Sequence, residues 1–161
     1  AITIIENKSK KRPKVLLTWA PHPKALPQAV PNSFVKIMKH MDVELSITQP
    51  KEFELNPIIT KDIKLYHNQS EAFKDVDFVY AKNWSSYKNY GHISKGNDDW
   101  IINKEKMNLT NDAKFMHCLP IRRNIVASDE VLDNKNSLVI KQAENRIYSA
   151  QYVIEKLLKN E

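Results

Sequence analysis

The chain of 161 residues carries one cysteine, Cys118, and two glycines, Gly91 and Gly96. A lone thiol cannot close an internal disulfide, which fits a reducing compartment, and it rules out the paired-cysteine zinc patterns. Two glycines are too few for G-x-G-x-x-G and leave no Walker loop, so a nucleotide held in either way is not expected. No apolar run reaches the roughly 18 residues of a membrane span, and the first residues do not read as a signal peptide. There is no H-E-x-x-H, no cluster of carboxylates, and no serine, histidine and acid at motif spacing. Metal and hydrolytic chemistry are therefore not indicated, and no cofactor is expected. A soluble, cytoplasmic protein with no membrane partner is the expectation.

What is present is enough apolar residue, 42% of the chain, to build one sizeable core. The formal charge of +6 comes from 25 Lys and Arg against 19 Asp and Glu, part of it in the run KSKKRPK from Lys8 to Lys14. No aromatic-interleaved or helix-turn-helix pattern accompanies that run, so it reads as a solvated linker and not as a nucleic-acid site. A positive balance suits small anionic substrates equally well.

Along the chain, Ile2 to Asn7 has no cap before it and reads as the tail of a helix that begins upstream. Residues 1–13 are thus expected to be the end of an inter-domain helix and a linker, with the domain proper at 14–161. Lys14 to Trp19 (KVLLTW) is a continuous apolar run, the look of a strand covered on both faces. A proline-punctuated loop follows, then a helix capped at Asn32-Ser33 and running to about His40. Further strands are expected at Val43–Thr48, Ile63–His67, Asp77–Lys82, Lys114–Cys118 and Ser137–Ile140. Between them come helical stretches near Pro57–Asp62, from a Ser70 cap to Asp75, at Lys104–Leu109, and from a Ser128 cap to Leu132, with a closing helix from about Asn145 to Lys159. Ser85 to Ile102 reads as a long polar and aromatic loop, a kind that is often functional. Strands alternating with helices imply an α/β fold: a doubly wound, mostly parallel, Rossmann-like sheet with helices on both faces.

Parallel strands open their following loops at one edge of the sheet, which is where such folds bind ligands. This gathers His22, Lys82, Cys118, Arg122, Arg123 and Arg146 around one crevice. Pro120 has no N–H to extend a strand, so the carbonyls of Cys118 and Leu119 are candidates to face a ligand. The arginines can take carboxylate or phosphate. Arg146, placed at the start of the last helix, gains nothing from the helix dipole there and is suited to hold an anion. His117 beside Cys118 makes a poor catalytic dyad, because adjacent strand residues point to opposite faces.

FMHCLPIRRN followed by QAENRIYSAQ resembles the second, amino-acid-binding domain of the aspartate/ornithine carbamoyltransferases, with their H-C-L-P-x-R and E-N-R signatures in order. TWAPHPKALPQAVPNSF is similar to the branch that works on N-acylated ornithine, and the likeness covers nearly the whole chain. The resemblance implies that Cys118 and Leu119 meet the carbamoyl group through their backbone, with Arg146 close by as a third catalytic residue. It implies that His22, Lys82 and Arg122 bind the acylated ornithine, and that the Leu119–Pro120 bond is cis. The substrates it implies are carbamoyl phosphate and an N-acylornithine, in arginine biosynthesis, with no metal and no cofactor. The family's carbamoyl phosphate domain is absent from these residues, so this chain alone is expected to be inactive. The full-length protein is expected to be a homotrimer with sites between subunits.

Enzymes of this family that use plain ornithine carry an aspartate where Lys82 stands. Aspartate can pair with a free α-ammonium, whereas lysine repels it and meets the neutral amide, or the added carboxylate, of an acylated amine. Val126 stands where acetylornithine enzymes tend to carry lysine, which tilts the reading towards N-succinylornithine. The alternatives are an ornithine carbamoyltransferase and a non-catalytic amino-acid-binding module.

Overall fold

A parallel strand covered on both faces needs apolar side chains at successive positions, and Lys14–Trp19 (β1) supplies them. The computed structural model describes residues 1–93 and 95–159. With β1 stand Glu44–Thr48 (β2), Lys64–Tyr66 (β3), Phe78–Lys82 (β4) and Lys114–Met116 (β5), in a parallel sheet of order β3-β2-β1-β4-β5. The helices are Ile2–Asn7 (α1), Ala29–Met38 (α2), Pro57–Thr60 (α3), Gln69–Ala72 (α4), Lys104–Met107 (α5), Asp129–Leu132 (α6) and Val139–Lys159 (α7).

Alternation along β1 splits the core in two. Val15, Leu17 and Trp19 pack with Phe34, Val35 and Met38 of α2, while Leu16 joins Ala72 of α4, Phe73, and Val131 and Leu132 of α6 on the opposite face. The sheet is thus doubly wound, as the alternation of strands and helices implies. Its N-terminal edge is fastened by Asp77, whose carboxylate accepts from the Lys14 N–H at 2.9 Å and from Lys10 and Asn111 at 2.8 Å each. Burial alone raises that carboxyl's pKa, but these three donors outweigh it and leave the group below its ordinary value. Part of the basic run therefore serves the fold. The first helix does as well: Ile4 is fully buried in the α2-side core, and Asn145 of α7 donates to Thr3 and Glu6 of α1.

Several expectations are corrected. Ser137–Ile140 is no strand: Ser137 makes a single bridge to Phe115, the Leu138 N–H reaches the Phe115 carbonyl at 2.8 Å, and the helix begins at Val139. The β-branched Val139-Ile140 pair looks like a strand, but β5 beside it is a three-residue edge with little ladder left to pair. Arg146 consequently sits about two turns inside α7, and not at its start. The second correction concerns α2, which starts at Ala29 and not at an Asn32-Ser33 cap. Pro31 lies in its first turn, where a missing N–H costs no helical bond. Likewise Asn68, and not Ser70, caps α4 by accepting from the Glu71 N–H. Among the described residues no helix is long and apolar enough to cross a membrane.

Candidate functional site

From β1 the chain builds outward through β2 and β3, then returns to lay β4 and β5 on the other side. The crevice of such a sheet opens where the order reverses, at the C-terminal ends of β1 and β4. Trp19 and Lys82 are register partners there. Just beyond them the Ala20 N–H donates to the Lys82 carbonyl at 3.2 Å, and the Asn83 side chain donates to the Ala20 carbonyl at 2.8 Å. The Pro21-His22-Pro23 loop therefore leaves β1 directly beside Lys82.

β5 ends one strand over. The Leu119–Pro120 peptide is cis, and Leu119 has φ of +49°, a left-handed conformation that a γ-branched residue holds only at a cost of about 1 kcal/mol or more. His117 secures it: the buried imidazole accepts the Leu119 N–H on Nδ1 at 3.0 Å. Burial, with the charges of Lys82 and His22, pushes the His117 pKa down to about 4, so the ring stays neutral and Nδ1 stays an acceptor. Among the described residues the carbonyls of Cys118 and Leu119 accept no hydrogen bond. Cys118 packs against the α2-side core that includes Tyr80, and both it and Gln142 of α7 are close enough to bear on the Tyr80 hydroxyl. Burial first, and then Cys118, raise the Tyr80 pKa, so this phenol stays protonated and cannot serve as a base.

His22 and Arg122 face each other, with Arg122 Nε donating to His22 Nε2 at 3.4 Å. The other ring nitrogen, Nδ1, is engaged by the Lys24 backbone, 3.0 Å from its carbonyl and 3.1 Å from its N–H. Burial lowers the His22 pKa, the Lys24 carbonyl raises it in part, and the charges of Arg122, Lys82 and Lys24 lower it again. Two histidines thus feel one concentration of positive charge. Among the described residues none of Lys82, Arg122 and Arg146 forms an ion pair. Positive charge without an ion-pair partner is the electrostatic setting that suits an anion.

Arg123 does not belong to this cluster. Its guanidinium is held by Asp129 and Asp133 of the α6 turn, at 2.6 Å to each. Arg146 is exposed and lies one helical turn beyond Gln142, on the same side of α7. Val126 is buried in the α4-side core and so keeps an apolar environment. Next to the cations, a cleft of about 250 Å³ is lined by Trp19, His22, Ile93, Asn97, Asp98 and Ile125. Another cleft, of about 310 Å³, lies by Lys104, Asp112, Glu130 and Asn136 and shares none of the strand-end cations. The sequence reading passed over Tyr80, Gln142 and the acceptor role of His117. Only the His-x-Leu spacing before Pro120 could have pointed to the last of these.

Residues 27–157 match the family described as aspartate/ornithine carbamoyltransferase, Asp/Orn binding domain. The N-succinylornithine carbamoyltransferase of Bacteroides fragilis is 47% identical over 99% of this chain and 51% of its own length. The N-acetylornithine carbamoyltransferase of Xanthomonas axonopodis pv. citri is 31% identical over 89% of this chain and 47% of its own. Among solved structures, acetylornithine transcarbamylase complexed with acetylcitrulline superposes with a TM-score of 0.87 at 30% identity, covering 95% of this chain and 52% of that one. The chain therefore spans about half the length of the relatives it matches.

Proposed function

Because the chain belongs to the aspartate/ornithine carbamoyltransferase family, through its Asp/Orn binding domain, we propose that it is the amino-acid-binding half of an enzyme that carbamoylates the δ-amine of an N-acylornithine in arginine biosynthesis. The observation that carries the reading is the unanswered cation cluster of His22, Lys82 and Arg122 at the switch point of the sheet. In this reading those three hold the acylated amino acid, whose α-carboxylate and acyl group are acceptors for them.

Carbonyl oxygens only accept, so the group that the Cys118 and Leu119 carbonyls face must donate, and the NH₂ of a carbamoyl group does. Held there, carbamoyl phosphate presents its carbonyl carbon to the δ-amine. Attack forms a tetrahedral oxyanion, and phosphate leaves with the C–O bonding pair as the amine loses its proton. Arg146 of α7 is proposed to supply positive charge where the oxyanion develops. The chain's contribution is to bind and orient two substrates.

The acyl group is proposed to be succinyl. Identity is higher to the N-succinylornithine enzyme than to the N-acetylornithine one, and apolar Val126 points the same way. Residues 14–161 are proposed as the substrate domain and residues 1–13 as its lead-in from a carbamoyl phosphate domain outside this chain. Exposed apolar residues along α7, among them Ile147, Tyr148, Tyr152, Ile154, Leu157 and Leu158, support a further packing partner of that kind. The full-length protein is proposed to be a cytoplasmic homotrimer.

Formation of the ureido product from carbamoyl phosphate and N-succinylornithine tests the reading. The full-length protein is expected to turn over, and the 161-residue chain alone to fall at least about 1000-fold below it, since one substrate is no longer held against the other. Equal activity of the two would contradict the assignment of half a site to this chain.

A further inference from the structure

Lys106 lies outside the cleft yet is tied to its wall. On α5, its ammonium donates to Gln69 Oε1 at 2.6 Å, to the Ile101 carbonyl at 2.8 Å, and to the Asp99 carbonyl. Those three bonds use every proton an ammonium has, so the group is not available to a ligand. Gln69, buried at the start of α4, carries the connection onward. Its amide nitrogen reaches Thr18 Oγ1 at 2.9 Å, the Trp100 carbonyl at 3.1 Å and the Trp19 carbonyl at 3.3 Å. The end of β1 and the turn at Asp98–Trp100 are thereby joined through two side chains.

The segment before that turn is held by the Tyr87 N–H, which donates to the Glu54 carbonyl at 3.1 Å, and by His92, stacked on Phe53 with ring centroids 6.2 Å apart. Residues 87–93 are exposed, and Gly91 and Gly96 take φ of +87° and +77° with nothing near where a Cβ would stand. Firm attachments come at its end: Trp100 sets its ring edge-on to Trp19 at 6.1 Å, and the Ile102 N–H donates to the Val126 carbonyl at 3.0 Å. Between these, the carbonyls of Asp99, Trp100 and Ile101 converge on Lys106 and Gln69 and not on backbone donors. Without the ammonium, two carbonyls and the Gln69 oxygen lose their donor, and the turn must swing to find water. Asp98, which lines the His22 cleft, swings with it.

We propose that Lys106 is a positioning residue: together with Gln69 it fixes the Asp98–Ile101 turn against the end of β1, and so sets the wall of the His22 cleft against which the acylated ornithine lies. The inference rests on the function proposed above for its substrate half and on geometry alone for its structural half.

The test uses the full-length protein with Lys106→Met, Lys106→Arg, Gln69→Leu and the Lys106→Met/Gln69→Leu pair. Lys106→Met is expected to raise KM for N-succinylornithine about tenfold while kcat and KM for carbamoyl phosphate stay within about twofold, the signature of lost uniform binding of one substrate. Arginine, which keeps the charge and the donors, recovers most of the loss. The double variant is no worse than the worse single one, because both residues act through one network. Hydrogen exchange at residues 97–102 reads the clamp without reference to substrate, and it is expected to quicken at least about tenfold in Lys106→Met with β1 and β4 unchanged. Unaltered exchange at 97–102 overturns the clamp. Faster exchange with KM for N-succinylornithine unchanged, or a fall in kcat alone, overturns its role in substrate positioning. A wild-type protein silent on every acylornithine takes down the proposed function and the substrate half with it, while exchange still decides the clamp.

Discussion

Lys82→Asp in the full-length protein is expected to lower kcat/KM for N-acylornithine by about 100-fold, the scale of losing a charge-assisted contact and placing a like charge beside a substrate carboxylate. Lys82 ends β4 opposite Trp19, within electrostatic reach of both His22 and His117. It forms no ion pair among the described residues, so its charge is open to a ligand. A free α-ammonium would meet that charge as a repulsion, whereas an acylated amine is neutral and brings an acceptor. Aspartate inverts the preference, and activity with free ornithine is expected to rise in the same variant. Initial rates with the two amines, at saturating carbamoyl phosphate, measure both changes. An unchanged ratio removes Lys82 from the substrate site.

The second large effect is on stability and follows from His117. Its pKa is about 4 in the folded chain against an ordinary 6.5. The folded state therefore binds fewer protons than the unfolded one between those limits, and stability falls as pH drops through the window, levelling off below about pH 4. A shift of this size corresponds to about 3 kcal/mol at most. His22 is shifted in the same direction and adds to the slope. Asp77, whose carboxyl is depressed below its ordinary 3.8, loses its contribution only at pH lower still. The site feels this before the whole fold does, because a proton on Nδ1 of His117 takes away the acceptor of the Leu119 N–H. Urea denaturation of the 161-residue chain at pH values from 7.5 to 4.5 is the measurement. His117→Asn, which keeps an acceptor near that N–H but does not titrate, is expected to be less stable at pH 7.5 and to lose most of the slope. A variant as pH-sensitive as the wild type would place the titrating group elsewhere.

The strands were legible because buried parallel strands write themselves as continuous apolar runs. KVLLTW and FVYAK each name their strand to within one residue. The same rule misleads at Val139-Ile140, where two β-branched residues open a helix that packs on β5 and α1. Pro31 marks a stop when read alone, and becomes a first-turn residue only once the preceding loop is seen to supply the helix start. Convergence of His22, Lys82 and Arg122 followed from parallel topology alone. Arg123, next in sequence to Arg122, is drawn away by Asp129 and Asp133, and nothing local announces that choice. The Lys106–Gln69 connection spans 37 residues of sequence and depends on tertiary approach, so no motif could carry it.

The central claim is that this crevice is built for an acylated amine. Its most direct test is kcat/KM of the full-length protein for N-succinylornithine, N-acetylornithine and ornithine, each with carbamoyl phosphate. The account predicts the order succinyl, acetyl, ornithine, with ornithine at least about 100-fold below the best substrate. Ornithine turned over as well as either acylated form would contradict it.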